Sequence, residues 1–124
     1  MRNLSEKISE SELEVMRVLW EAEDALPVTE IRQTLHERKG WEATTVKTLI
    51  QRLLGKGALS QEKRKVFYYA PLVSEQEYND WAANDLVRRL FRGSAKELVA
   101  TLVKSDSLTA EDIDELRDLF KVEE

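Results

Sequence analysis

Thr44-Thr45-Val46-Lys47-Thr48-Leu49-Ile50-Gln51-Arg52-Leu53-Leu54 is the stretch on which the fold turns. Val46, Leu49, Ile50, Leu53 and Leu54 recur at the three- and four-residue spacing of a single helix face. The opposite side carries Thr44, Thr45, Lys47, Thr48, Gln51 and Arg52: hydroxyls, cations and an amide, with no carboxylate. The spacing predicts a helix over Glu42–Lys56, starting after Trp41 and stopped by Gly55-Lys56-Gly57. A charged face of one sign has two readings. Most such faces are simply solvated. Some meet a polyanion.

The segment after Gly57 separates the two. Ala58–Glu62 and Val66–Ala70 are strand-like, and Phe67-Tyr68-Tyr69 adds aromatic enrichment to the second. Between them lies Lys63-Arg64-Lys65, a cationic hairpin tip. Pro71 closes the unit. Upstream, Ser9 and Glu12 have capping-box spacing, so a first helix starts near Glu10. Leu13, Met16, Val18, Leu19 and Trp20 give it an apolar side. A short extended piece precedes Pro27, because the residue before proline avoids helical geometry. A second helix runs over Val28–Arg38, with Ile31 and Leu35 inward, and Lys39-Gly40 stops it. Three helices and then a hairpin with a cationic tip is the winged helix-turn-helix order.

Such a domain needs only residues 1–72. Residues 73–124 read as three more helices. Ser74–Phe91 turns Tyr78, Trp81, Ala82, Leu86 and Leu90 inward. Ser94–Val103 buries Leu98, Val99, Leu102 and Val103. Thr109–Lys121 carries Ile113, Leu116, Leu119 and Phe120. The apolar band is wider than one short helical layer uses, and a second copy of the chain would cover it. The expected dimer interface is Tyr78, Trp81, Leu86, Leu98, Val99, Leu102, Val103, Ile113, Leu116 and Phe120. The fold class is therefore mainly α: a winged helix at 1–72 and a helical dimerisation domain at 73–124.

Charge fits this division. The 124-residue chain carries a net charge of −5, which argues against a nucleic-acid binder until its distribution is considered. Residues 1–71 hold 12 Lys and Arg against 11 Asp and Glu; residues 72–124 hold 7 against 13. Between Lys39 and Lys65 there are 7 basic and 2 acidic residues. The cations are concentrated around the third helix and the hairpin.

Other chemistries have little support. With no cysteine there are no disulfides or thiolate metal sites, and His36 alone does not make a zinc site. No metal or cofactor is expected. The glycines at 40, 55, 57 and 93 match no phosphate-binding or dinucleotide-binding loop. Glu111, Asp112, Asp114, Glu115 and Asp118 lack the spacing of a calcium loop. No nucleophile–base constellation suggests an enzyme. No apolar run reaches membrane-spanning length, and Met1–Lys7 is too polar for a signal peptide, so a soluble cytoplasmic protein is expected.

On the residues alone, the reading is a DNA-binding protein. Thr hydroxyls and methyls can meet base edges and thymine methyls. Lys47 reaches a guanine edge or a phosphate, Arg52 clamps a phosphate, and the tip straddles the backbone. The alternative is a winged-helix module that binds protein through its C-terminal apolar band.

The chain resembles the penicillinase repressor family, the BlaI/MecI type that also includes copper-responsive CopY-type members. The resemblance rests on Ile8-Ser9-Glu10-Ser11-Glu12-Leu13-Glu14-Val15-Met16 with Trp20, on Thr45–Leu53 within Trp41–Gly57, on Phe67-Tyr68-Tyr69, and on Leu108–Leu116. It implies a homodimeric repressor of inverted-repeat operators with TACA/TGTA half-sites. It matches Thr44, Thr45, Lys47 and Thr48 to base and backbone contacts, Arg52 to a phosphate contact, and Lys63–Lys65 to the wing. It also implies a membrane sensor protease system as partner. Antibiotic-responsive members are cut at an Asn-Phe bond; Thr101-Leu102 stands in that place here. Copper-responsive members bind metal through C-terminal cysteines, which this chain lacks. The releasing signal is open.

Overall fold

A computed structural model describes residues 8–123. The chain divides into two compact units, Met1–Ala82 and Ala83–Glu124.

In the first unit, α1 (Glu10–Glu21) starts where Ser9 closes a capping box. Ser9 Oγ accepts from the Glu12 N–H at 3.2 Å, and Glu12 Oε1 accepts from the Ser9 N–H at 2.9 Å. Helix α2 (Val28–Lys39) ends at Gly40, whose φ of 70° is the left-handed geometry that glycine adopts without strain. Helix α3 (Ala43–Gly55) comes after a short turn. Each helix contributes its apolar stripe to one core: Val15, Met16, Val18 and Leu19 from α1, Ile31 and Leu35 from α2, and Val46, Leu49, Ile50 and Leu53 from α3. Fully burying each large side chain contributes about 1.5–3 kcal/mol. This core sets the orientation of α3.

Strands β2 (Leu59–Lys63) and β3 (Phe67–Pro71) form the antiparallel hairpin, with Gln61 opposite Tyr69. The extended piece before Pro27 is a third strand, β1 (Leu26–Pro27), paired with β3 in the order β1-β3-β2. Lys63 is the last residue of β2, so the turn itself is Arg64–Val66. Tyr69 and Leu59 fasten the hairpin to the core. Past Pro71 the chain still belongs to this unit. Val73 is buried and its carbonyl accepts from Trp20 Nε1 at 2.9 Å. Tyr78 packs on Trp20, with ring centroids 5.9 Å apart.

Helix α4 (Glu75–Leu90) extends from the first unit into the second, which continues with α5 (Ala95–Lys104) and α6 (Ala110–Glu123). Ser94 caps α5, accepting from the Glu97 N–H. The structure corrects the expectation that these helices bury their apolar residues within the chain. No described residue of α4 or α5 is buried, and Leu90, Val99, Leu102, Val103, Leu116, Leu119 and Phe120 are exposed. The reason is size: a few short helices have too little interior to enclose their own apolar side chains.

Candidate nucleic-acid interface

Helix α3 is buried on one side and open on the other. Thr44, Thr45, Lys47, Thr48, Gln51 and Arg52 are all exposed. The first turn contains no acid, and Glu42, the residue before it, makes no side-chain cap. The N–H groups of that turn therefore lack a carboxylate partner from the helix itself, and the positive end of the helix dipole favours an anion there. The Thr48 hydroxyl donates to the Thr44 carbonyl at 3.0 Å. Its proton is thus occupied, which leaves Thr48 a hydrogen-bond acceptor with a fixed methyl group. Such a side chain suits an amino group or a thymine methyl on a base edge.

The crest lies between two depressions. One is lined by Ser9, Ser11, Trp41, Thr45, Thr48, Leu49 and Arg52. The other runs between α2, α3 and the hairpin and shares Lys47 and Gln51 with the crest.

The hairpin tip is organised by its own aromatics. Lys63 Nζ sits 5.1 Å from the centre of the Phe67 ring, and the Arg64 guanidinium 4.2 Å from that of Tyr68. Glu62 accepts from Arg64 Nε at 2.5 Å and raises the Arg64 pKa further above its ordinary value. Lys65 has none of these contacts. The three tip cations are therefore not equivalent. Arg64 is held against Glu62 and Tyr68, whereas Lys65 extends without such a partner among the described residues.

Two cations counted towards the basic segment act elsewhere. Lys39 pairs with Glu14 at 3.8 Å. Lys56 Nζ donates to Glu12 Oε1 at 2.5 Å, and Glu12 is 2% exposed. Burial alone would push the Glu12 carboxyl up. The Lys56 and Ser9 hydrogen bonds, with the charges of Lys56 and Arg52, outweigh it and hold Glu12 below its ordinary value. This carboxylate links the start of α1 to the end of α3. The capping-box spacing accounts for only half of its role. Its other signal is position: Glu12, Val15, Met16 and Leu19 share one helical stripe, so a charged residue stands in the apolar register.

The residues expected at a dimer interface separate into two groups. Tyr78 and Trp81 are half-buried and lie in the first unit, with ring centroids 6.4 Å apart. Leu86, Leu98 and Ile113 are half-buried in the second unit. Val99, Leu102, Val103, Leu116 and Phe120 are exposed there. Thr101 and Leu102 sit within α5, and the Thr101 hydroxyl donates to the Glu97 carbonyl. Among the described residues, no cluster of acids and histidine is placed to hold a metal, and no helix is long and apolar enough to cross a membrane.

Three helices with a three-stranded wing, and an acid-free crest beside that wing, define the winged helix-turn-helix class. The chain belongs to the penicillinase repressor family, which it matches over residues 8–122. The penicillinase repressor of Bacillus licheniformis is 31% identical over 116 residues, covering 93% of this chain and 90% of that protein. The solution structure of the DNA binding domain of the repressor BlaI is similar, with a TM-score of 0.56 and 35% identity over 63% of this chain and 94% of that one. The monomeric form of Bacillus licheniformis BlaI in complex with the blaP half-operator is also similar, with a TM-score of 0.52 and 37% identity over 58% of this chain and 88% of that one.

Proposed function

We propose that the protein is a homodimeric transcriptional repressor that binds inverted-repeat operators, TACA/TGTA-like, through α3 and the wing. The observation that carries this reading is the crest of α3: exposed Thr, Lys, Gln and Arg side chains with no acid in the first turn, flanked by a cationic wing. The solved complex of BlaI with the blaP half-operator supports it. Thr44, Thr45, Lys47, Thr48 and Gln51 read bases and nearby backbone. Arg52 and the Lys63–Lys65 wing hold phosphates. An operator-binding protein works in the cytoplasm.

One winged domain covers a short half-site and binds weakly. Two linked domains bind the second half-site at high effective concentration. The exposed apolar residues of α5 and α6 are the surface through which two copies pair, and residues 73–124 serve as the dimerisation region. A membrane sensor protease is the partner that the family suggests. A cut between Thr101 and Leu102 would divide the apolar face of α5 and release operator through loss of the dimer.

Fluorescence anisotropy with a labelled inverted-repeat duplex tests the reading. Two chains should bind per duplex, with a clear preference over a scrambled duplex at the same salt. Binding without sequence preference would overturn it. A monomer that ignores both duplexes would favour a protein-binding module instead.

A further inference from the structure

We infer that the groove between α2, α3 and the wing is a binding site for a small organic anion with an apolar body, and that this ligand competes with DNA for Lys47 and Gln51. The groove encloses about 340 Å³, at the small end of the range for small-molecule sites, roughly 300–1,000 Å³. Val28, Ile50, Leu54 and Phe67 form apolar walls, Arg32 and Lys47 add two positive charges, and no acid lines the groove. Arg32 is half-buried, and because its Nε is closed to solvent, the rest of its guanidinium is what a ligand can meet. A carboxylate entering the groove pairs with the positive charges of the Arg32 guanidinium and Lys47. The walls suit a one- or two-ring aromatic acid. A cation would meet two like charges, and a neutral ligand would form no ion pair with Arg32 or Lys47.

Lys47 and Gln51 belong both to the groove wall and to the crest assigned to DNA. A bound anion neutralises Lys47 and occupies the space beside the crest. Direct ligand binding stands independently of the DNA reading; the competition rests on it.

The test is calorimetric titration of the full chain with 1-naphthoate and with neutral 1-naphthamide at fixed ionic strength. One naphthoate should bind per chain, at least tenfold more tightly than naphthamide. Arg32→Gln should abolish that preference. Leu54→Trp, which fills the groove and keeps both cations, should remove binding of both compounds. Equal affinity for acid and amide, naphthoate binding unchanged in both variants, or no binding at millimolar concentration would overturn the site. In a parallel anisotropy experiment, naphthoate should release an inverted-repeat duplex from the wild-type protein but not from Leu54→Trp. Naphthoate bound with the duplex retained overturns the competition. Failure to bind the duplex at all overturns the repressor reading, while the calorimetry still reports on the groove.

Discussion

Lys47 and Arg52 lie on the exposed side of α3, and the proposed function gives them different tasks. Lys47 lies with the threonines on the crest, so Lys47→Ala should weaken the preferred operator by about 1–3 kcal/mol and non-specific duplex less. Arg52→Ala should weaken every sequence alike and lower the salt slope by about one. Anisotropy titrations across a salt series separate the two. The exposed residues of α3 are legible in the sequence, because the apolar stripe fixes which side chains face out. The partner of Glu12 is not, because Lys56 lies 44 positions away and nothing local joins them. Glu12→Gln keeps an acceptor oxygen for Ser9 but removes the negative charge that faces Lys56, and should lower stability by about 2 kcal/mol in urea unfolding near neutral pH. The pH dependence has a definite sign. The folded pKa of Glu12 lies below its ordinary value of 4.5, so the stabilisation is complete above that value and is lost as pH falls through the folded pKa. The stability gap between wild type and Glu12→Gln should therefore narrow below pH 4.5. A gap that is constant with pH would show that the charge is not what stabilises.

Alternation, aromatic enrichment and the basic tip make the hairpin legible. The third strand is only half legible: Pro27 implies an extended approach, but its pairing with Tyr68 is a tertiary contact. The inequality of the tip cations is not legible, because it depends on Glu62 and Tyr68 folding onto Arg64. Lys65→Ala should reduce DNA affinity uniformly across sequences and lower the salt slope by about one. Glu62→Gln should act oppositely, freeing Arg64 and tightening non-specific binding. The same salt series measures both. Before α3, Gly40 holds a φ of 70° with open space around its missing side chain. Gly40→Ala should therefore cost about 1–2 kcal/mol from backbone strain alone, measured by urea unfolding.

Across the whole molecule, overall composition hides the division of charge. The acidic balance belongs to residues 72–124, and the cations gather near α3 and the wing. Helical periodicity in the second unit is legible from residue spacing. Its lack of an interior is not, because an apolar stripe looks the same whether its own chain or a second copy covers it. Phe120, 71% exposed, is the most exposed of the large apolar side chains among the described residues. Phe120→Ser should shift the protein towards monomer in light scattering and weaken operator binding while leaving the winged unit folded. The central claim is that two copies read one inverted repeat with paired α3 helices. Titrating the full chain into a labelled TACA/TGTA inverted repeat and into a duplex with one half-site scrambled, at the same salt, tests it most directly. Two chains should occupy the intact repeat, and affinity should fall at least about tenfold when one half-site is scrambled; equal affinities for the two duplexes would contradict the claim.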